Sequence, residues 1–368
     1  MRINFILPFA SKTGGVIVVL EYARRLRARG HAVRVYDPVI PYFVFFRALP
    51  FWRRYPAYVK AIVANLFRRR DRFAWHAADV DATLIPWISG RFVEDGDVVI
   101  ATAWPTAYSV ARLDPAKGRK AYFIQHHEIW SGPRERVDGS YRLPLGLLTI
   151  APWLTALMRD RFGRAVVAEI HNAIDTGRFH PPMAPAPRPL TMLMMHHDVE
   201  IKGIPDGLAV LKRLHAAHPD VRFRLFGMPA FPDAEEWMEH VRDPSREQLV
   251  RLYQEADVFL SPSLAEGWHL PPMEAMACGC AVVATRVGCI PVLEGDGNLM
   301  AVEPGDRDGL FRHVDALLRD HALRRDTARK GLETIRGYTW DAKTREFEEA
   351  LMRIAHGEGW SHLPDLNR

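Results

Sequence analysis

The sequence predicts an α/β protein of two Rossmann-like, doubly wound parallel-sheet domains facing a cleft. Three observations carry this: the length, the alternation of short apolar runs with helical patterns, and one proline-dense break. At 368 residues the chain exceeds the usual size of a single core. Its hydrophobic fraction of 48% and charged fraction of 25% are those of a soluble globular protein and exclude general disorder.

Strand patterns are expected at residues 3–7, 32–36, 98–101, 121–124 and 166–170, and in a second series at 190–195, 222–226, 258–261 and 281–284. Helical periodicity falls between them, at 16–29, 207–217 and 246–255. Strands alternating with helices argue for βαβ units and parallel sheets. The segment 181–189, with its five prolines, cannot form a helix interior or a central strand and reads as a stiff linker. The expected division is therefore residues 1–184 and 185–339. The last helix, 340–356, carries Phe347, Leu351 and Ile354 at helical spacing. Its one-sided stripe must dock somewhere, and packing back on the first domain is one solution.

The net charge of +5 suits anionic partners such as nucleoside diphosphates or an acidic membrane surface, and is too small to argue nucleic acid. Cys278, Cys280 and Cys289 lack a fourth ligand and a zinc-type spacing, so buried reduced thiols and a cytoplasmic setting are expected. No apolar run is long enough for a transmembrane helix. Residues 1–10 lack a signal-cleavage region and read as a first strand.

The chemistry concentrates after the strand at 258–261, in Glu266-Gly267-Trp268-His269-Leu270, which leads through Pro271 and Pro272 into a helix carrying Glu274. A strand, a loop and a helix start form an anion site. Backbone amides of Gly267 to Leu270 are expected to face phosphate oxygens. Glu274, placed in the first helical turn, would accept from a ribose diol, and Glu266 would sit nearer a sugar. The bland alternative is that both carboxylates only favour a helix N-terminus.

This segment resembles the donor-binding signature of glycosyltransferase family 4, a two-domain GT-B-type family, in its two glutamates separated by seven residues and in Glu274-Ala-Met-Ala-Cys-Gly279. His269 stands where glycine is common in that signature. Asn172-Ala-Ile-Asp175 is similar to the family's approach to its second domain, with Ala173 in place of glycine. Ile201-Lys202-Gly203 matches the position of a basic residue on the donor diphosphate. An arginine that commonly precedes it is missing from Met194 to Asp198, and His197 occupies that stretch. Gly227, at the end of the strand 222–226, joins the donor-side candidates.

In the first half, Gly14-Gly15 lies between a strand and a helix start, where the resemblance implies donor phosphate or acceptor. Gln125-His126-His127-Glu128 ends another strand. The cluster lacks a helical metal-binding spacing, and the resemblance implies a polar contact to the transferred sugar from His126 or His127. Residues 42–75 interleave aromatics with Arg47, Arg53, Arg54, Lys60, Arg68, Arg69, Arg70 and Arg72, and Tyr58, Ile62 and Leu66 share a helical face. A basic amphipathic element on an anionic membrane is one reading, and an insertion packed on its own domain is the other.

The resemblance implies transfer of a sugar, with retention and without a metal or other cofactor, from a nucleoside diphosphate donor. The acceptor would be a glycan or lipid-linked molecule at the inner face of the cytoplasmic membrane. Glu266, Lys202 and His126 or His127 would be catalytic. Rival readings are a nucleotide-sugar epimerase or phosphorylase of related fold, and a non-catalytic donor-binding subunit.

Overall fold

The computed structural model describes residues 1–9, 13–42, 50–67, 80, 82–183, 188–231 and 234–357. Arg47, Arg68, Arg69, Arg70, Arg72 and part of the proline-rich 181–189 segment therefore lie outside the described residues. The chain divides into two compact units, one of Met1–His171 with Asp341–Arg368 and one of Asn172–Trp340.

The first unit contains β1 (Arg2–Ile6), α1 (Gly14–Ala28), β2 (Ala32–Pro38), α2 (Phe51–Phe67), β3 (Ala82–Ile85), β4 (Val98–Ala101), α3 (Trp104–Ala111), β5 (Arg119–Ile124), α4 (Arg134–Ser140), β6 (Gly146–Thr149), α5 (Pro152–Phe162) and β7 (Val166–Glu169). The second contains β8 (Thr191–Met195), α6 (Ile204–Ala217), β9 (Arg222–Gly227), β10 (Met238–Arg242), α7 (Arg246–Gln254), β11 (Val258–Ser261), α8 (Leu270–Ala277), β12 (Ala281–Thr285), α9 (Ile290–Leu293), β13 (Met300–Val302), α10 (Arg307–Arg319) and α11 (His321–Ile335). The last helix, α12 (Trp340–Ala355), starts at the end of the second unit and runs into the first.

Each unit is built on one parallel sheet. The strand orders are β3-β2-β1-β4-β5-β6-β7 and β10-β9-β8-β11-β12-β13. Both orders reverse direction once, between β1 and β4 and between β8 and β11. In doubly wound sheets that reversal opens a crevice beyond the strands' carboxyl ends, where ligands bind. The expected two-sheet fold class is the observed one. β3, β6, β10 and β13 were not anticipated; they are short or carry charged residues, so their patterns are weak.

The units meet in the chain at His171 and Asn172, upstream of the expected 184–185 division. Backbone pairing explains the difference: Ile174 N–H donates to Tyr338 O at 3.0 Å, and Ile174 forms a parallel bridge with Thr339. These bonds tie 172–175 to the second unit before the proline-rich segment begins. Helix α12 packs in the first unit through Phe347, Leu351 and Ile354, all fully buried. The Phe347 ring stacks on Tyr22 at 4.2 Å and meets Phe123 edge-on at 5.2 Å. Burying such a ring contributes about 2–3 kcal/mol, enough to hold a terminal helix.

The face of α2 read from the sequence also divides. Tyr58 and Ile62 are half-buried, whereas Leu66 is exposed. Side-chain amide donation from Asn65 to Val39 O, at 2.8 Å, sets the helix's rotation.

Candidate functional site

The second unit's crevice is built by two loops that bond to each other. The loop after β8 runs through a 3-10 turn, Glu200–Lys202, to Gly203. The loop after β11 runs through Ser263 and Leu264. Leu264 N–H donates to Ile201 O at 2.7 Å. Gly203 has φ +62°, and a Cβ there would stand 2.0 Å from Pro262 O. Only glycine permits that approach, and the approach puts Lys202 beside Glu266.

Lys202 Nζ donates to Glu266 Oε1 at 2.8 Å and to Oε2 at 2.9 Å. Ser263 Oγ donates to Oε1 at 2.8 Å. Burial by itself would raise the Glu266 carboxyl, but the positive neighbours and these hydrogen bonds outweigh it and hold its pKa below the usual value. At neutral pH the Lys202 ammonium supplies the opposing charge. The other neighbour, His269, is itself pushed down to about 4 by burial and is neutral there.

His269 explains the glycine that the family 4 signature favours at its position. Its φ of 84° lies in the left-handed region, which costs a side-chain-bearing residue on the order of 1 kcal/mol. The ring is buried, with Nε2 2.8 Å from Ser261 Oγ and Nδ1 3.7 Å from Glu266 Oε1. The anionic carboxylate favours the ring proton on Nδ1, leaving Nε2 to accept from Ser261. His269 thus fills the loop behind Glu266 rather than facing outward.

Helix α8 begins at Leu270, with His269 as its N-cap. A helix start normally leaves four N–H groups over, but Pro271 and Pro272 remove two of them, so His269 and Leu270 supply the remaining pair. The anion site is narrower than the motif suggested. Trp268 is buried, its indole N–H directed at Met273 Sδ at 3.0 Å, so its side chain belongs to the core. Gly267 is buried in the same loop. Gly288 closes over the loop's far side: its φ is +59°, and a Cβ would come 2.5 Å from Trp268 O.

Glu274 is the fifth residue of α8, in its second turn, which corrects the expected first-turn placement. The helix start is displaced because the chain turns at His269. Tyr253 O–H donates to Glu274 Oε2 at 2.9 Å. Burial raises this carboxyl to about 7, against the lowering hydrogen bond from Tyr253.

His197 Nδ1 accepts Val199 N–H at 3.0 Å. Burial, then the Lys202 charge, lowers its pKa, so the neutral ring carries its proton on Nε2 as a single donor. Its neighbour His196 is buried and stacks on Phe231 at 4.4 Å. Gly227 is demanded by packing, since a Cβ there would stand 2.0 Å from His196 O.

In the first unit Gly14 and Gly15 are the first two residues of α1, and Gln125 Nε2 donates to Gly15 O at 3.1 Å. The polar cluster after β5 splits up. His126 lies edge-on to Trp130 at 4.2 Å and to Trp153 at 5.5 Å. His127 Nε2 pairs with Asp138 Oδ1 at 2.8 Å, while Arg161 holds the other Asp138 oxygen at 2.6 Å. Glu128 turns to the start of α3, accepting Trp104 N–H at 2.8 Å. Three different partners pull these side chains apart, so they do not converge on one point.

Burial raises Glu128 to about 7, opposed by the Trp104 hydrogen bond. A raised carboxyl stabilises the fold fully below its unfolded value near 4.5, and that contribution is lost as pH rises through 7. The shift corresponds to on the order of 3 kcal/mol. Glu128→Gln, which keeps an acceptor for Trp104, is expected to be neutral near pH 5 and to gain melting temperature over the native chain above pH 8. Parallel pH-dependent melts of the two proteins check this.

Sequence reading included the segment from Tyr253 to Ser263 in the resemblance but gave Tyr253, Ser261 and Ser263 no role, and it missed Gly288. Ser263 is signalled only by standing three residues before Glu266, a spacing common in any loop. The described residues contain no group of three or more His, Cys, Asp or Glu arranged for a metal ion. They also contain no helix long and apolar enough to cross a membrane.

Residues 188–320 match the family model for Glycosyl transferases group 1. The chain is 34% identical over 112 residues to the O-antigen chain mannosyltransferase B of Escherichia coli, covering 30% of this chain and 29% of that protein. It is 31% identical over 210 residues to the D-inositol 3-phosphate glycosyltransferase of Mycobacterium sp. (strain KMS), covering 51% of this chain and 47% of that protein. The chain thus spans half or less of these curated relatives. Among solved structures, Anabaena HepE in complex with UDP and glucose superposes with a TM-score of 0.73 at 14% identity, over 96% of this chain and 99% of that one. The sucrose-phosphate synthase of Thermosynechococcus elongatus gives 0.70 at 16% identity, over 96% and 99%. The two parallel-sheet units have the fold of these GT-B structures, and the second contains the segment that matches the group 1 model.

Proposed function

We propose that this chain transfers a sugar, with retention of configuration and without a metal ion, from a nucleoside diphosphate sugar to a lipid-linked or polysaccharide acceptor in cell-envelope glycan synthesis. The observation that carries the reading is the Lys202–Glu266 pair at the second sheet's switch point, inside the matched group 1 segment. The similarity to an O-antigen mannosyltransferase supports the envelope role.

In the proposed reaction the bond between the anomeric carbon and the diphosphate breaks, and the acceptor oxygen bonds to that carbon. The acceptor's proton leaves with the diphosphate. Negative charge grows on the leaving oxygens. Lys202 has three N–H donors, two of them on Glu266, so one remains for a phosphate oxygen. The His269 and Leu270 amides and the neutral His197 Nε2–H add donors. Glu266, kept ionised by Lys202, faces the sugar and opposes positive charge at the anomeric carbon. Glu274, its carboxyl oriented by the buried Tyr253 hydroxyl, offers an acceptor to the ribose.

Calorimetry with nucleosides and their diphosphates tests the donor half. The diphosphate is expected to bind at least about tenfold more tightly than the nucleoside, a margin of roughly 1.4 kcal/mol. Equal affinity for both would remove the phosphate role. Labelled-sugar transfer into membrane extract tests the acceptor half; donor converted with no acceptor present would point instead to an epimerase.

A further inference from the structure

The ring of His269 does more than occupy space behind Glu266. It stands on a left-handed backbone that glycine would adopt without strain, and it is fully buried. Ser261 Oγ, 2.8 Å from Nε2, fixes the plane of the ring. The other nitrogen, Nδ1, is buried and has no hydrogen-bond partner among the described residues. A buried N–H left unmade is costly. Nδ1 lies 3.7 Å from Glu266 Oε1, so a small turn of the carboxylate would complete the bond.

Glu266 in turn depends on one ammonium. Lys202 Nζ bonds both of its oxygens, at 2.8 Å and 2.9 Å, and the same ammonium is the donor offered to the diphosphate in the proposed reaction. A phosphate oxygen that meets Lys202 draws the ammonium away from Glu266. Ser263 holds Oε1 but brings no charge. A carboxylate this buried would then drift toward its neutral form, at the moment the reacting sugar needs the charge. Glu266 and Lys202 are the charged groups that act on the His269 ring. The ring is neutral, so it can donate to Glu266 without competing for the diphosphate.

We propose that His269 is a positioning residue for Glu266: its Nδ1–H bonds Oε1 when Lys202 turns to the diphosphate, and Ser261 keeps the ring in the tautomer that can do so. The inference rests on the transfer reading for what the carboxylate does. The role is particular to this chain, because the glycine common here in the family 4 signature has no ring to offer.

Three substitutions separate the functions of the ring. His269→Asn tolerates the left-handed backbone and sets an amide N–H where Nδ1 stands. His269→Gln reaches toward Ser261 and offers no donor at that place. His269→Gly offers neither. All three keep the backbone amide, so diphosphate affinity should stay within about threefold of native. Transfer is followed with whichever donor the native chain turns over fastest in a panel of uridine and guanosine diphosphate sugars. With KM little changed, kcat is expected to fall at least about thirtyfold in the Gln and Gly variants, and Asn should recover at least about tenfold of that loss. A second arm needs no substrate. Lys202→Met imitates the departure of the ammonium. In that background at pH 8, His269→Gln should lower the melting temperature at least about 3 °C more than it does in the native background, and His269→Asn should not. If the Gln chain unfolds, Asn against Gly carries both arms, since both residues accept this backbone. Equal kcat in the three variants, or additive melting effects of His269 and Lys202, overturns the proposal. A native chain that transfers no sugar defeats the transfer reading instead, and the melting arm still decides whether His269 holds Glu266.

Discussion

Replacing Glu266 by Gln is expected to lower turnover roughly a thousandfold while the chain stays folded and binds nucleoside diphosphate within a few-fold of the native level. The amide has the volume of the carboxylate, and its one oxygen still accepts from Lys202 and Ser263, so only the second Lys202 bond is lost. What it lacks is the negative charge, which burial makes effective in a site of low polarity. Because the charge acts on the reacting sugar and not on the diphosphate, the loss belongs in kcat. Steady-state kinetics separate the two: a rise in KM alone, or turnover within threefold of native, would remove Glu266 from the chemistry.

Lys202→Met is expected to reduce both stability and activity. It leaves the Glu266 carboxylate buried with Ser263 and a neutral His269 as its neighbours. Breaking a buried pair from one side costs on the order of 3 kcal/mol. The sign with pH follows from the carboxyl. In the native chain its lowered pKa stabilises the fold above the unfolded value, and that stabilisation is lost as pH falls through the folded value. Without the ammonium, burial raises the pKa, so the variant should instead lose stability as pH rises. Adding Glu266→Gln removes the stranded charge and should recover most of the melting temperature but none of the turnover. A double-mutant cycle in melting temperature, run at pH 5 and pH 8, checks this; additive effects would mean that the pair is not coupled. Diphosphate affinity should fall in both lysine variants.

The alternation of apolar runs and helices was enough to predict two parallel sheets, because buried parallel strands read as short continuous hydrophobic stretches. Strands such as Ala82–Ile85 and Met238–Arg242 escaped that reading. The first is only four residues long, and the second carries Glu239, His240 and Arg242, so the pairing of neighbours is what makes it a strand. The Glu266 to Glu274 segment was legible as a donor motif because its residue types and spacing are local. The partners of those glutamates were not.

The sequence by itself determined the α/β class, the order of the main strands, and the chemical character of the loop that carries Glu266. Only the tertiary structure decided which groups act together. Lys202 lies 64 residues from Glu266, and they meet because β8 and β11 are neighbours at the sheet's switch point. Likewise, Tyr253 reaches Glu274 across 21 residues, and His127 turns to Asp138 instead of joining Glu128. Helix α2 shows the same limit: the face read from Tyr58, Ile62 and Leu66 divides, because packing half-buries the first two and leaves Leu66 exposed. Periodicity and spacing are local properties of the chain. The charge partner, the exposed face and the protonation state depend on packing between distant segments.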